Sequence, residues 1–305
     1  MGTQAAPHPA WRATLTGGGA ILLWATLAWL TALAGPIPPF QLVAMSFAVG
    51  GLAGLAVAQL SGRRPLAALR QRWAVWALGV GGLFLYHALY FLALQTAPVV
   101  EANLINYLWP LLIVLFAGLL PGHRLGGRQA AGALMGFAGT VLLVTGGAGA
   151  PFQRLAIDAA FAGGYAAALA CAVTWAGYSV LSRRVGDVPV EAVAGFCLGT
   201  ALLALLCHLA FEHTVWPDGA AGWAIVLAMG LGPTGAAFFL WDIGVKRGDI
   251  QTLGALSYAT PLLSTLLLIL GGRSAGGWNV WAACGLIIAG AALAGRGLAR
   301  PASAA

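Results

Sequence analysis

Long apolar runs alternate along this chain with short clusters of proline, glycine, serine and charge. Ten runs approach the roughly 20 mostly apolar residues that cross a bilayer as a helix. They fall at 15–34, 40–60, 73–94, 98–119, 128–147, 159–181, 190–210, 220–245, 250–270 and 278–298. Pro36, Pro38 and Pro39 divide the first run from the second, Arg63, Arg64 and Pro65 open the next loop, and Pro121 and Gly122 follow the fourth run. The third and fourth runs part at Gln95-Thr96-Ala97-Pro98, because proline disfavours helix for the residue before it. The pattern predicts an all-α membrane protein. Ala32-Leu33-Ala34 has the look of a signal cleavage site, but the run before it is too long for a signal and only Arg12 precedes it. The first helix is therefore expected to stay in the fold.

Composition agrees with the pattern. Of 305 residues 60% are hydrophobic and 8% charged, and the mean hydropathy is +0.88. A soluble surface needs about a quarter charged residues, so this chain cannot cover one. The net charge of +7 comes from basic residues set singly or in pairs between apolar runs. They make no basic face, so nucleic acid is not an expected partner. They orient the chain instead. With the N-terminus in the cytoplasm, thirteen of the 15 basic residues lie on the cytoplasmic side, and only Arg154 and Arg273 lie outside it. Both termini are placed in the cytoplasm by this bias.

The chain repeats itself with one shift, from Trp24 to Trp175. The same shift takes Pro38 to Pro189, Gly79 to Gly230, Gly81 to Gly232, Tyr107 to Tyr258, Pro110 to Pro261, Gly126 to Gly277 and Gly139 to Gly290. Each repeat holds five helices, and an odd number inverts the second repeat in the bilayer. The expected organisation is a tail at 1–14, a first five-helix repeat at 15–150, a second, inverted repeat at 151–299 and a tail at 300–305. Inverted repeats are a recurring architecture of secondary transporters, with substrate near the midplane and one half rocking against the other.

Ten helices in a five-plus-five inverted repeat resemble the drug/metabolite transporter superfamily, EamA-type. The stretch EANLINYLWPLL, Glu101 to Leu112, is similar to the aromatic amino acid exporter branch of that family, and SYATPLLSTLL, Ser257 to Leu267, fits the same pattern. Many EamA proteins carry a Gly-Glu pair after the fourth and ninth helices, whereas this chain reads Gly122-His123-Arg124 and Gly271-Gly272-Arg273. The resemblance implies a multi-pass exporter of aromatic and other neutral amino acids in a bacterial-type inner membrane. It also implies a central cavity lined by the first, third, fourth, sixth, eighth and ninth helices. The alternative within the superfamily is an exporter of drugs or other small metabolites.

Polar groups inside a bilayer face the protein interior or water, and this selects candidates without the resemblance. On the fourth helix Asn103, Asn106, Tyr107 and Pro110 share one stripe, with Trp109 beside it and Glu101 about a turn away. The third helix offers Tyr86, His87 and Tyr90, the sixth Trp175 and Tyr178, and the ninth Ser257, Tyr258 and Pro261. Rings with hydrogen-bonding tips suit an aromatic amino acid, and an ammonium group is attracted to Trp and Tyr faces. Each such ring could equally be helix packing, and Trp24 with Trp175, being matched by the repeat, could be architecture. Pro110 and Pro261 each release a carbonyl in mid-helix, which makes them candidate hinges. His87 and Glu101 are candidates for proton coupling, His87 having a plain hydrogen-bonding role as its alternative. Asp242 sits one turn before Lys246, the spacing of an ion pair.

The remaining features are structural. Cys171, Cys197, Cys207 and Cys284 lie inside apolar runs without CxxC or zinc spacing, so they are read as core residues, and no metal or cofactor is expected. Trp11, Trp73, Trp76, Trp216, Trp223, Trp278 and Trp281 lie near helix ends, as an interfacial belt does. Gly132, Gly136 and Gly139, and Gly285 with Ala289, follow the small-residue spacing of close helix pairs, which is assigned to packing within a monomer. The chain has no HExxH, no GxSxG and no credible aspartate pair, so an enzyme is not expected. The stripes are too aromatic for a channel lining.

Overall fold

A computed structural model of the chain describes residues 10–120, 124–146, 158–272 and 277–295. All regular structure among these residues is helical. Nine helical stretches there are long and apolar enough to cross a membrane: α1 (Ala10–Ala34), α2 (Pro39–Leu60), α3 (Trp73–Thr96), α4 (Val99–Gly118), α6 (Ala159–Val185), α7 (Ala192–Phe211), α8 (Gly219–Arg247), α9 (Ile250–Leu270) and α10 (Trp278–Gly295). Between α4 and α6 lies α5 (Gly127–Gly146), a helix of 20 residues. The expected ends at 147 and 298, the boundary at 150 and 151, both tails, Pro121 to His123, and Arg154, Arg273, Arg296 and Arg300 fall partly or wholly outside the described residues. Within the described residues α1 already runs from Ala10, five residues before the expected start, with the Arg12 side chain exposed and lying over the Trp11 ring.

The sequence halves interlock. Helix α1 packs chiefly on α8, α3 on α6, α2 on α7 and α5 on α10, so every principal pair joins one repeat to the other. Two compact groups result, α3 with α4 and α6, and α1 with α8 and α9, and the repeat shift exchanges them. Rocking one sequence half as a body would shear all four pairs, so the packing favours these swapped groups as the moving units.

Glycine sets the closest approaches. A Cβ on Gly132 of α5 would stand 2.5 Å from the Gly290 carbonyl oxygen of α10, and one on Gly17 of α1 would stand 2.8 Å from Gly244 Cα of α8. The expected small-residue packing is thus found within the chain for Gly132, Gly136 and Gly139; Gly285 has open space at its Cβ position.

Helices α4 and α9 are each broken. Helix α4 consists of Val99–Asn106 and Trp109–Gly118, and α9 of Ile250–Leu256 and Ala259–Leu270. The breaks precede Pro110 and Pro261 rather than falling on them. A proline lacks the N–H for the carbonyl four residues back and crowds it, so the strain appears in the preceding turn. The turn tightens there: Leu108 N donates to Ile105 O at 3.1 Å, and Tyr258 N to Ala255 O at 3.4 Å. Helix α8 contains a π turn over Gly232–Ala236, at Pro233, where the repeat mate in α3 is Gly82 and the helix runs through.

Polar contacts tie the helices at both ends of the bundle, and Glu212 with Phe40 and Gln41, and Arg63 with Glu191, join one repeat to the other. At one end the Glu212 carboxylate, after α7, accepts from Phe40 N (2.9 Å) and Gln41 N (3.0 Å) at the start of α2, and His208 Nδ1 lies 3.0 Å from it. An anion there satisfies the free amides of a helix N-terminus. At the other end Arg183 donates to the carbonyls of Val245 and Gly248, Lys246 Nζ donates to Val188 O at 3.0 Å, and Arg63 pairs with Glu191. Burial works to raise the Glu191 carboxyl, but the hydrogen bond and charge of Arg63 outweigh it and hold the group below the ordinary range.

Candidate functional site

The centre of the bundle is a cluster of indoles drawn from four helices. Trp24 of α1 lies 5.4 Å from Trp175 of α6, 5.0 Å from Trp241 of α8 and 6.4 Å from Trp109 of α4, between ring centroids. Trp175 and Trp241 stack at 6.0 Å with 27° between planes. Trp24 and Trp175, matched by the repeat, thus meet across the repeat interface. Phe238 of α8 and Phe47 of α2 extend the cluster towards His87, whose ring lies 5.1 Å from Phe47. Two of the four indole N–H groups have identified acceptors: Trp241 Nε1 donates to Ser179 Oγ at 3.0 Å, and Trp24 Nε1 to Pro233 O at 3.1 Å.

One wall of this cluster is polar. Tyr86 stacks on Tyr90 at 6.2 Å and touches Trp175 at 5.4 Å. Tyr90 Oη donates to Asn103 Oδ1 at 2.6 Å, and Asn106 Nδ2 donates to Tyr86 Oη at 3.3 Å. Asn106 Oδ1 is buried with no hydrogen-bond partner among the described residues. The Tyr107 hydroxyl lies within electrostatic reach of both Tyr86 and Tyr90. His87 Nδ1 is 2.7 Å from the Leu83 carbonyl. A carbonyl only accepts, so Nδ1 carries the proton, and in the neutral ring Nε2 is left as an acceptor. Glu101 is buried in the first turn of α4 and has no polar partner among the described residues.

The structure therefore brings Tyr86, His87, Tyr90, Asn103, Asn106, Tyr107, Trp109, Trp175 and Tyr178 to one region. It does not bring Ser257 and Tyr258 there. Ser257 Oγ donates to Leu253 O of its own helix at 2.8 Å. Tyr258 packs against Phe137 and Gly136 of α5, in a separate core with α10. Pro110 and Pro261 are both buried behind their helix breaks. Tyr178 covers Gly82 and, with Asp242 and Lys246, lines a small cavity of about 10 Å³, room for about one water. Asp242 and Lys246 form the expected pair, Nζ to Oδ1 2.9 Å, with side chains 3% and 5% exposed. Six of the expected belt tryptophans are exposed, whereas Trp76 packs on Phe196 and Gly195 of α7.

Residue-by-residue reading missed Trp241, Phe238 and Phe47. The repeat shift would have found the first two, since Trp241 is the mate of Tyr90 and Phe238 the mate of His87. The mates differ in kind: α3 supplies polar rings where α8 supplies apolar ones. The site thus has a polar wall from α3 and α4 and an apolar wall from α1 and α8. The two walls meet directly, with the Tyr86 ring 5.4 Å from Trp175 and the His87 ring 5.1 Å from Phe47, so hydrogen-bonding groups and ring faces adjoin in one region.

Known proteins match this chain over most of its length. The model of the EamA-like transporter family matches twice, at 11–145 and 162–296, so the two matches are offset by the same shift as the internal repeat. The aromatic amino acid exporter YddG of Ancylobacter novellus is 54% identical over 92% of this chain and 96% of its own length. The aromatic amino acid exporter YddG of Escherichia coli is 25% identical over 84% of this chain and 87% of its own. A solved crystal structure with 53% sequence identity superposes with a TM-score of 0.88 over 93% of this chain and 96% of that one. A family match across both repeats and a relative this similar over nearly its full length make the conclusion direct: the chain belongs to the EamA-like transporter family.

Proposed function

We propose that this protein exports aromatic and other neutral amino acids across a bacterial inner membrane, by alternating access around the central aromatic site. The observation that carries the reading is the two-walled site. Tyr86, Tyr90, Asn103 and Asn106 offer hydrogen bonds on one side, and Trp24, Phe238 and Trp241 offer ring faces on the other. The YddG name of the relatives supports the substrate class.

In this reading α5 is a tenth crossing, both termini are cytoplasmic, and the protein works as a monomer without catalytic chemistry or a cofactor. The amino acid ring packs among the indoles, and its ammonium and carboxylate meet the α3–α4 wall and the edge of His87. Trp109, Trp175, Tyr107 and Tyr178 complete the enclosure, while Ser257 and Tyr258 support α9. The breaks before Pro110 and Pro261 serve as hinges as the α3–α4–α6 group tilts against the α1–α8–α9 group. His87 or Glu101 couples transport to protons.

The test is uptake of labelled phenylalanine, threonine and a cationic drug into liposomes holding the purified protein, with and without a pH gradient. Saturable phenylalanine uptake competed by threonine is expected, with any pH effect lost in H87A or E101Q. Drug uptake without amino acid uptake would move the substrate to the alternative class.

A further inference from the structure

The repeat relation calls for two equivalent clefts, one where the last turns of α4 meet α6 and one where the last turns of α9 meet α1. The two differ. At α9 and α1 the Trp29 indole closes the cleft, since a Cβ on Gly271 would overlap its ring. The mate of Trp29 is Val180, and the mate of Gly271 is Leu120. With no indole there, an open cleft of about 250 Å³ remains between α4 and α6, walled by Phe116, Leu119, Leu120 and Val180. Its floor is Gly177, which has nothing within 4 Å of its Cβ position. Arg184 stands at its edge, where the mate in the first repeat is Leu33.

Charge separates the clefts further. Arg183 folds inward onto the carbonyls of Val245 and Gly248, at 3.1 and 2.8 Å. Arg184 is exposed and has no carboxylate partner among the described residues, and Asp187, three residues on, does not pair with it. The space is several times the roughly 30 Å³ share of a liquid water, and apolar walls do not hold water. In a bilayer an acyl chain is the apolar material at hand. A guanidinium at the cleft edge recognises a phosphate by paired hydrogen bonds and charge. Basic pockets between membrane helices on the cytoplasmic side suit anionic headgroups.

We infer that the α4–α6 cleft is a binding site for an anionic phospholipid, with one acyl chain against Gly177 and Val180 and the phosphate on Arg184. The assignment rests on the cytoplasmic placement of this end proposed above. The lipid bridges α4 and α6 as Trp29 bridges α9 and α1. An anionic lipid is preferred over a zwitterionic one because no choline or ethanolamine charge offsets its attraction to Arg184.

Spin-labelled phosphatidylglycerol and phosphatidylcholine, each added to the full-length protein in phosphatidylcholine bilayers, test this by electron paramagnetic resonance. The wild type should immobilise about one more phosphatidylglycerol than phosphatidylcholine per protein, an excess that salt weakens. R184L should abolish the excess, and V180W, which sets the mate's indole in the cleft, should lower the immobilised fraction of both lipids. If V180W does not fold, G177L fills the same floor. Equal immobilisation of the two lipids by the wild type, or an excess that survives both R184L and the cleft-filling variant, would overturn the site. So would protein dimers cross-linked through a cysteine introduced at Gly177, since a second copy would then occupy the cleft. None of these readouts involves transport, so failure here leaves the exporter reading intact.

Discussion

At the scale of single residues the site depends on a few directed polar contacts in an apolar setting. Tyr90 holds Asn103, and Tyr86 holds the Asn106 amide. Removing one hydrogen bond of this kind costs about 0.5–1.5 kcal/mol, or up to roughly tenfold in an equilibrium constant. Y90F should therefore raise the half-saturating phenylalanine concentration several-fold while the protein stays folded, as measured by liposome uptake beside a thermal melt. The buried Asp242–Lys246 pair behaves differently. Breaking a buried pair by removing one partner costs about 3–5 kcal/mol, because the other charge is left alone. D242N should lower the melting temperature markedly, and D242N combined with K246M should recover most of the loss. A double variant no more stable than the single would show that the pair is not coupled. The pair was legible from i, i+4 spacing. The cross-chain partners of Trp24 and Trp241 were not, because nothing local says which carbonyl or hydroxyl an indole will meet.

At the scale of elements the apolar runs gave helix positions to within a few residues, since length and proline placement decide both in a bilayer. The breaks in α4 and α9 followed from Pro110 and Pro261, but their location one turn earlier needed the crowded carbonyl to be considered. The π turn of α8 had its sign in Pro233, a proline whose repeat mate Gly82 lies in an unbroken helix. The orientation of α9 was not legible: Tyr107 and Tyr258 match in sequence, yet one ring joins the site and the other packs on Gly136. P110A and P261A should each restore backbone hydrogen bonding and stiffen the hinge. Phenylalanine uptake should slow several-fold in the double variant, and an unchanged rate would remove the hinge role. Helix α5 rests on α10 through glycine. G132V should cost about 1–3 kcal/mol from overpacking against the Gly290 backbone, seen as a lower melting temperature in detergent.

At the scale of the whole molecule the internal repeat carried the most information. It gave the two-repeat architecture, and its shift recurs in the two family matches at 11–145 and 162–296. What it did not give was the partnering of helices across the halves, because one shift relates positions without saying which of them touch. That interlocking sets two exchanged three-helix groups around the aromatic cluster, and the proposed function takes their tilting as the motion that exposes it to each side in turn. A channel would instead keep a continuous path through the same bundle. Counterflow separates the two most directly. Liposomes loaded with unlabelled phenylalanine and diluted into a trace of labelled phenylalanine should show transient accumulation above the equilibrium level, because a site that faces one side at a time exchanges one molecule for another. Uptake that rises only to equilibrium, with no dependence on what was loaded inside, would contradict alternating access at this site.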